Sequence, residues 1–261
     1  MKLREIFRFE FVYQARRVRT WLYFAVLFFI AYQLRGGGLN SPFTVAHETL
    51  LAGLLWILMA PGVAGSAAAR DVQTRMHPLV YTTPISKFDY LGGRFFAAYV
   101  LNALILLALP LGMLAALLFA GKEPEIVGPF PPIVYFSAYG VLALPTAFTF
   151  TAVQFSFAAL TRRAGFSYLG VVLFCIAVGA TAAVVTNVLR MPTLGTLLDP
   201  TVRIILVIIP EKLTHPALNA ALLGMKSVIL ANRLLWSGVA LAILGLTYRR
   251  FHFADRGGGT R

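Results

Sequence analysis

Charge is scarce in this sequence. Of 261 residues, 13% are Asp, Glu, Lys or Arg, about half the usual share of a soluble domain. Acidic residues number only ten, while 59% of the chain is hydrophobic. A soluble protein of this length needs a polar surface around its core, and too few polar residues are present to make one. An ordinary soluble enzyme and a disordered chain are both excluded, and an integral membrane protein of several helical spans remains. A β-barrel is excluded as well, because its strands would alternate apolar and polar residues where this chain has unbroken apolar runs. The single cysteine, Cys175, can form no internal disulfide, and one thiol makes no metal site. It sits within an apolar run and reads as a small residue facing lipid or a neighbouring helix. No cleavable leader is expected, because the basic start is followed by more charged residues, not by a short apolar core.

Positive charge is the exception to the scarcity. There are 23 Lys and Arg against 10 Asp and Glu, a net +13. In a soluble chain this would point to nucleic acid. Here long apolar runs separate the basic clusters, so they read as the flanks of membrane spans. Membrane lipids are the expected partner and nucleic acid is not.

Crossing ~30 Å of hydrocarbon takes about 20 apolar residues. Six runs qualify: 20–34, which is short, then 45–69, 95–120, 133–160, 167–189 and 228–248. The expected architecture is therefore all-α, an integral membrane bundle of six spans over 20–248, preceded by an interfacial helix at 1–19 and followed by a tail at 249–261. Alternation sorts the connections into two sets, which hold 16 and 6 basic residues. The richer set, which includes both termini, is assigned to the cytoplasm.

In the first 19 residues Leu3, Ile6, Phe7, Phe11 and Val18 fall on one side of a helical wheel, and Glu5, Arg8, Arg16 and Arg19 on the other. That pattern predicts a helix lying in the interface with its basic side chains toward lipid headgroups. The connection 190–227 is longer than a simple loop. It holds an apolar run at 201–209 between Pro200 and Pro210, too short to cross, which fits a re-entrant or interfacial helix. Glycine triplets at 36–38 and 257–259 read as an outer turn and a flexible tail.

Signatures of chemistry are few. The chain has no G-x-x-x-x-G-K-[ST] loop to hold ATP. His47-Glu48 begins like a zinc-binding H-E-x-x-H, but Leu51 stands at the fifth position, so no metal ligand set is assigned. Gly65-Ser66 resembles an intramembrane serine nucleophile, yet no later span carries a histidine to act as its base. Gly62, Gly65, Ser66 and Ala69 are spaced for close helix packing instead. No catalytic residue is assigned. The polar residues expected within the membrane are Glu48, Asn102, Gln154, Asn187, Asn232 and Arg233. An Arg at mid-span costs about 2.5–3.5 kcal/mol on insertion scales. Arg233 lies about 22 Å from the inner end, so it is expected to reach the outer interface or to pair with Glu211 or Glu48.

The stretch 70–94 between the second and third spans is the most informative. Thr83-Pro84 reads as an N-cap followed by proline in a first turn. Ser86-x-x-Asp89 reads as a capping box that opens the third span. A helix breaking near Pro78 and restarting by Ser86 would form a compact polar knob on the cytoplasmic side, with Arg70, Asp71, Arg75 and Lys87 making polar contacts at its rim.

This stretch carries a resemblance. Arg70-Asp71, Thr74, Leu79, Thr83-Pro84-Ile85-Ser86-Lys87 and Tyr90-Leu91-Gly92-Gly93-Arg94 resemble the segment that follows the second span in the membrane-spanning permeases of ATP-binding-cassette transporters of the type-2 export class. Gln73 stands where that pattern has Gly, and His77-Pro78 replaces a more helix-friendly pair. The ends of the chain, R-E-I-F-R-F-E and N-R-L-L-W…L-T-Y-R-R-F, resemble a bacterial subgroup in which the permease is often fused to a second membrane half and a zinc aminopeptidase. This sequence has no H-E-x-x-H, so the peptidase is not carried over. The resemblance implies a non-enzymatic export subunit of the inner (plasma) membrane, with both termini in the cytoplasm. It implies a second permease half, identical or not, and a separate cytoplasmic ATP-binding subunit. ATP and Mg would belong to that subunit, and this chain would need no cofactor. The implied coupling loop comprises Arg70, Asp71, Thr74, Arg75, Leu79, Thr83, Pro84, Ile85, Ser86 and Lys87. Two other classes compete with this reading: a membrane enzyme centred on His47, Glu48 or Ser66, and a scaffold that anchors a partner protein.

Overall fold

A computed structural model describes residues 2–33, 40–119, 130–209 and 214–253, and among these the chain is helical with no strand. The elements in order are α1 (Lys2–Ala15), α2 (Val18–Gln33), α3 (Pro42–Met59), α4 (Pro61–Gln73), α5 (His77–Tyr81), α6 (Lys87–Leu106) and α7 (Ala108–Phe119). Then come α8 (Pro132–Ser137), a π-helical turn (Ala138–Ala143), α9 (Leu144–Thr161), α10 (Phe166–Asn187), α11 (Pro192–Leu198), α12 (Ile204–Ile208), α13 (His215–Gly224) and α14 (Lys226–Arg250). The glycine triplets, Lys122, Glu211 and Arg256 lie outside the described residues.

Among the described residues, five stretches are long and apolar enough to cross a membrane: Pro42–Gln73, Lys87–Leu118, Pro132–Thr161, Phe166–Asn187 and Lys226–Arg250. The chain is thus a multi-pass helical membrane protein. The first expected span is shorter. Its helix, α2, has 16 residues, about 24 Å at 1.5 Å per residue. The second and third spans exceed the expected runs. At 32 residues each they reach about 48 Å, some 18 Å more than the hydrocarbon needs.

Proline divides three of the spans. Pro61, Pro110 and Pro145 each fall in the first turn after a discontinuity: between α3 and α4, between α6 and α7, and after the π-helical turn. A proline inside a helix has no N–H for the carbonyl four residues earlier and crowds it sterically, so the helix bends or widens there. The central helix is α9, which packs against α4, α6, α10 and α14 and is buried over most of its length. One apolar core cluster fills the middle of the bundle around Trp56, Leu109 and Phe150. A second surrounds Tyr90, Phe95 and Phe155 near one end.

The two ends of the bundle differ. At one end α1, the turn 74–86, the loop after α9 and residues 251–253 come together. Lys2 donates to the carbonyl of Pro84, Lys87 Nζ to the carbonyl of Phe251 at 2.8 Å, and Arg162 Nη2 to the carbonyl of His252 at 2.7 Å. At the other end Tyr135 donates to Asn40 at 2.8 Å, and the amide of Phe43 donates to Asn219 at 3.0 Å. Both described chain ends thus sit with the basic-rich connections, as alternation requires.

The N-terminal helix is shorter than the wheel implied. It stops at Ala15, and Val18 and Arg19 already belong to α2, where Val18 is exposed. Leu3 and Ile6 pack over Gly92 and Gly93 of α6. A Cβ on Gly93 would come within 2.9 Å of Ile6, so glycine is what allows α1 to lie this close. The connection 190–227 holds three short helices. The apolar run 201–209 supplies only α12, while α11 wedges between α10 and α14.

Candidate functional site

The turn between α4 and α6 is built differently from the expected knob. Helix α4 ends at Gln73, before Pro78. Arg75 adopts the left-handed conformation, φ 57°, and the amide of Met76 donates back to the Asp71 carbonyl at 2.8 Å. This closes the helix in the manner usually assigned to glycine. Pro78 then occupies the first turn of α5, where its missing N–H costs no bond. Thr83 caps no helix. Residues 82–86 are non-helical, and the Ile85 amide donates to the Thr83 carbonyl at 2.7 Å. The capping box does form: the Ser86 hydroxyl accepts from the Asp89 amide at 3.0 Å and donates to its carboxylate at 2.6 Å, opening α6. Thr74 donates to the Arg70 carbonyl at 3.0 Å. The exposed residues of the turn are mixed: Leu79 is 63% and Met76 48% exposed, and the polar Gln73, Thr74, Arg75, Thr82, Thr83 and Ser86 are exposed with them.

Arg70 and Asp71 are not rim residues. They lie beneath α1 in a charged cluster. Arg94 Nη2 donates to Asp71 Oδ2 at 2.5 Å and Nη1 to the Ala67 carbonyl at 3.0 Å. The Tyr90 hydroxyl donates to the same carboxylate oxygen at 3.2 Å. Arg70 reaches Glu10 of α1 at 2.7 Å, off the hydrogen-bond axis, and Asp71 Oδ1 at 3.6 Å. Its guanidinium also lies over the Phe9 and Tyr13 rings. Two guanidinium groups thus face two carboxylates, a balance that buried charge requires. Burial pushes the Glu10 carboxyl above its ordinary value, while Arg94 and Arg70 pull it down. The cluster ties α1, α4 and α6 into one root for the turn. Residues 251–253 brace it from outside, with the Phe251 and Phe253 rings 5.8 and 5.5 Å from that of Tyr90.

Above this root lies a second polar group. Gln14 Nε2 donates to Glu10 at 3.1 Å and to Ser66 Oγ at 2.7 Å, and Arg19 Nη2 donates to Ser66 Oγ at 2.6 Å. The Ser66 hydroxyl donates to the Gly62 carbonyl at 2.8 Å. Ser66 is thus a bridge between α1, α2 and α4. Gly62 and Gly65 are packing positions, as their spacing implied: a Cβ on either would strike a neighbouring helix.

The polar residues of the spans do not line up as a path. Gln154 Nε2 donates to the Ile57 carbonyl at 3.2 Å, the carbonyl that Pro61 leaves without its helical donor. Asn102 Nδ2 donates to Thr151 at 3.1 Å. Glu48 is buried on α3 near Tyr135, and Asn187 ends α10 exposed to solvent or lipid. Arg233 forms no ion pair with Glu48, and the other expected partner, Glu211, lies outside the described residues. Its Nη1 donates to Thr146 Oγ1 at 3.0 Å and to the Pro200 carbonyl at 3.1 Å. Asn232 Nδ2 donates to the carbonyls of Thr196, Leu197 and Asp199, and Trp236 Nε1 to that of Leu197. These side chains satisfy the open end of α11 where it is buried, which non-spanning backbone inside a bundle needs. Sequence reasoning missed Glu10, Gln14 and Arg94 as members of the charged root. The available signal was Glu10 and Gln14, four apart on the otherwise apolar side of α1. No protein-family model matches this chain, and no curated protein matches it.

Proposed function

We propose that this chain is the membrane-spanning permease subunit of an ATP-binding-cassette exporter, with the 74–86 turn as the docking element for a separate cytoplasmic ATPase. The observation that carries the reading is the turn's construction. A short projection that exposes Met76 and Leu79 among polar residues stands on a root of buried charges that locks it to two long spans and to α1. The sequence of that projection resembles the coupling segment of the type-2 export class. A force-transmitting element must be stiff where it meets the spans and must offer a contact surface at its tip, and both properties meet here. Nucleotide-driven closure of the ATPase pair would push on the tip, and the root would convert the push into a tilt of α4 and α6. The bound nucleotide would thereby favour one access state over the other. The basic bias supports a cytoplasmic position for this end, in a protein that would sit in an inner membrane. The substrate path would form when two halves, identical or different, pair.

Co-purification tests this. The parent chain is expected to bring down a P-loop ATPase. Leu79→Asp, which places a charge on the exposed tip and removes no core contact, should lose that partner while the chain remains inserted. If Leu79→Asp retains the ATPase and its transport-linked hydrolysis, the docking assignment is wrong. If no ATPase accompanies the parent chain, the permease reading is wrong.

A further inference from the structure

We propose that Arg19, Tyr23 and Tyr168 form a binding site for a phosphate group, carried by an anionic lipid headgroup or free in solution. This assignment is independent of the permease reading.

Arg19 stands in the first turn of α2, at the end of the bundle where α1 lies. Its side chain is half-buried, and its bonding partners are neutral: Gln14 Oε1 at 2.8 Å and Ser66 Oγ at 2.6 Å. Its Nε is buried without a partner. The other two arginines of this region, Arg70 and Arg94, are matched by Glu10 and Asp71. Arg19 therefore adds a positive charge for which the described residues provide no carboxylate. Arg17 is close enough to repel it, which makes the imbalance worse. A guanidinium held away from water at the edge of a bilayer calls for an anion.

The surroundings select the kind of anion. The Tyr23 and Tyr168 hydroxyls are hydrogen-bonded to each other and sit together over Gly62, where a Cβ would come within 2.6 and 3.0 Å of them. Both lie near Arg19. The start of α2 adds the positive end of its helix dipole, which favours oxyanions. The guanidinium, the one hydroxyl proton that the tyrosine pair leaves free and the helix start together match the several acceptor oxygens of a phosphate better than a single-point halide. The height in the membrane fits a headgroup. The neighbouring Trp21 ring is exposed and donates to the Ala15 carbonyl at 2.9 Å, the placement of an interfacial aromatic residue.

The purified chain in zwitterionic detergent provides the test, with its thermal midpoint followed during titration by phosphatidylglycerol, phosphatidylcholine or inorganic phosphate. Phosphatidylglycerol is expected to raise the midpoint well beyond phosphatidylcholine. Arg19→Gln should weaken the half-saturating phosphatidylglycerol concentration by roughly tenfold, the loss of one charge-assisted contact. Tyr168→Phe, which removes one hydroxyl and its bond to Tyr23, should weaken it less, each variant's shift being read from its own lipid-free midpoint. A shift with millimolar phosphate that abolishes the phosphatidylglycerol increment assigns the site to free phosphate, and a shift with the lipid alone assigns it to a headgroup. Equal shifts with both lipids and none with phosphate would overturn the proposal. So would an undiminished phosphatidylglycerol response in both variants.

Discussion

Removing one member of the Asp71–Arg94 pair should be far more damaging than removing both. Arg94 is 4% exposed, and its partners are the Asp71 carboxylate at 2.5 Å and the Ala67 carbonyl at 3.0 Å. In Asp71→Leu the guanidinium keeps one backbone carbonyl and the more distant field of Glu10, so a buried cation is left almost unpaired. Breaking such a pair from one side typically costs about 3–5 kcal/mol. The reverse variant, Arg94→Met, leaves Asp71 with the Tyr90 hydroxyl at 3.2 Å and Arg70 at 3.6 Å, so its loss should fall near 3 kcal/mol or below. The double variant strands neither charge. Replacement of a buried pair by apolar residues is often neutral or better, so its loss should stay under about 1 kcal/mol.

The readout is the thermal midpoint of the detergent-solubilised chain, taken at one heating rate because unfolding of such proteins is often irreversible. At about 2–4 °C per kcal/mol, Asp71→Leu should lose ~6–20 °C, Arg94→Met less, and the double variant only a few degrees. The signature is non-additivity: the double variant lies above the worse single variant instead of below both. If the two losses add, the charges act independently, and the cluster is not the root that holds α4 to α6.

Two other perturbations isolate single contacts. Gln154→Leu should cost about 1–3 kcal/mol by leaving the Ile57 carbonyl unsatisfied. In a Pro61→Ala background, where residue 61 again donates to Ile57, the same change should cost less than half as much, and equal midpoint losses in both backgrounds would refute the repair. Glu10 has a raised pKa through burial. Its folded form holds its proton to higher pH than the unfolded form, so its stability contribution is full below the ordinary carboxyl range and is lost as pH rises through the folded pKa. Glu10→Gln should therefore gain stability relative to the parent as pH rises through that interval; midpoints from acid to neutral pH test this, and a relative gain by the parent would contradict it.

The helical class and the run of long apolar segments were legible because hydrophobicity and helix length act locally, within one turn or one span. Boundaries were less so. The apolar run of the third span begins only at Phe95, yet the Ser86 capping box places the start of its helix at Lys87, because a cap needs no apolar neighbour. The end of α4 was misread for a related reason. Turn chemistry pointed to Pro78, but Arg75 takes the left-handed conformation three residues earlier, a position at which sequence reasoning looks for glycine. Thr83-Pro84 has the chemistry of a helix start without the helix, since Ser86 offers a cap closer to the periodic part of α6.

The charged root was hidden by a deeper feature of how charges are chosen. Glu10 and Arg70 are sixty positions apart, and neither breaks a local rule. A carboxylate on the apolar side of a helix at an interface is costly only until its partner is known. What the sequence does contain is a constraint of neutrality. Ten acids serve 23 basic residues, so each acid that folds inward must be matched, while most bases can remain at the surface without a partner. Glu10 and Asp71 satisfy that constraint with Arg70 and Arg94. Arg19 has no such match among the described residues, its bonds going to Gln14 and Ser66. The same reasoning separates it from Arg233, which is equally short of an acid in direct contact but is spent on the Pro200 carbonyl and Thr146 beside the buried helix α11. One arginine closes a backbone defect inside the bundle; the other stands at the bundle's edge, its bonds going to the neutral side chains of Gln14 and Ser66.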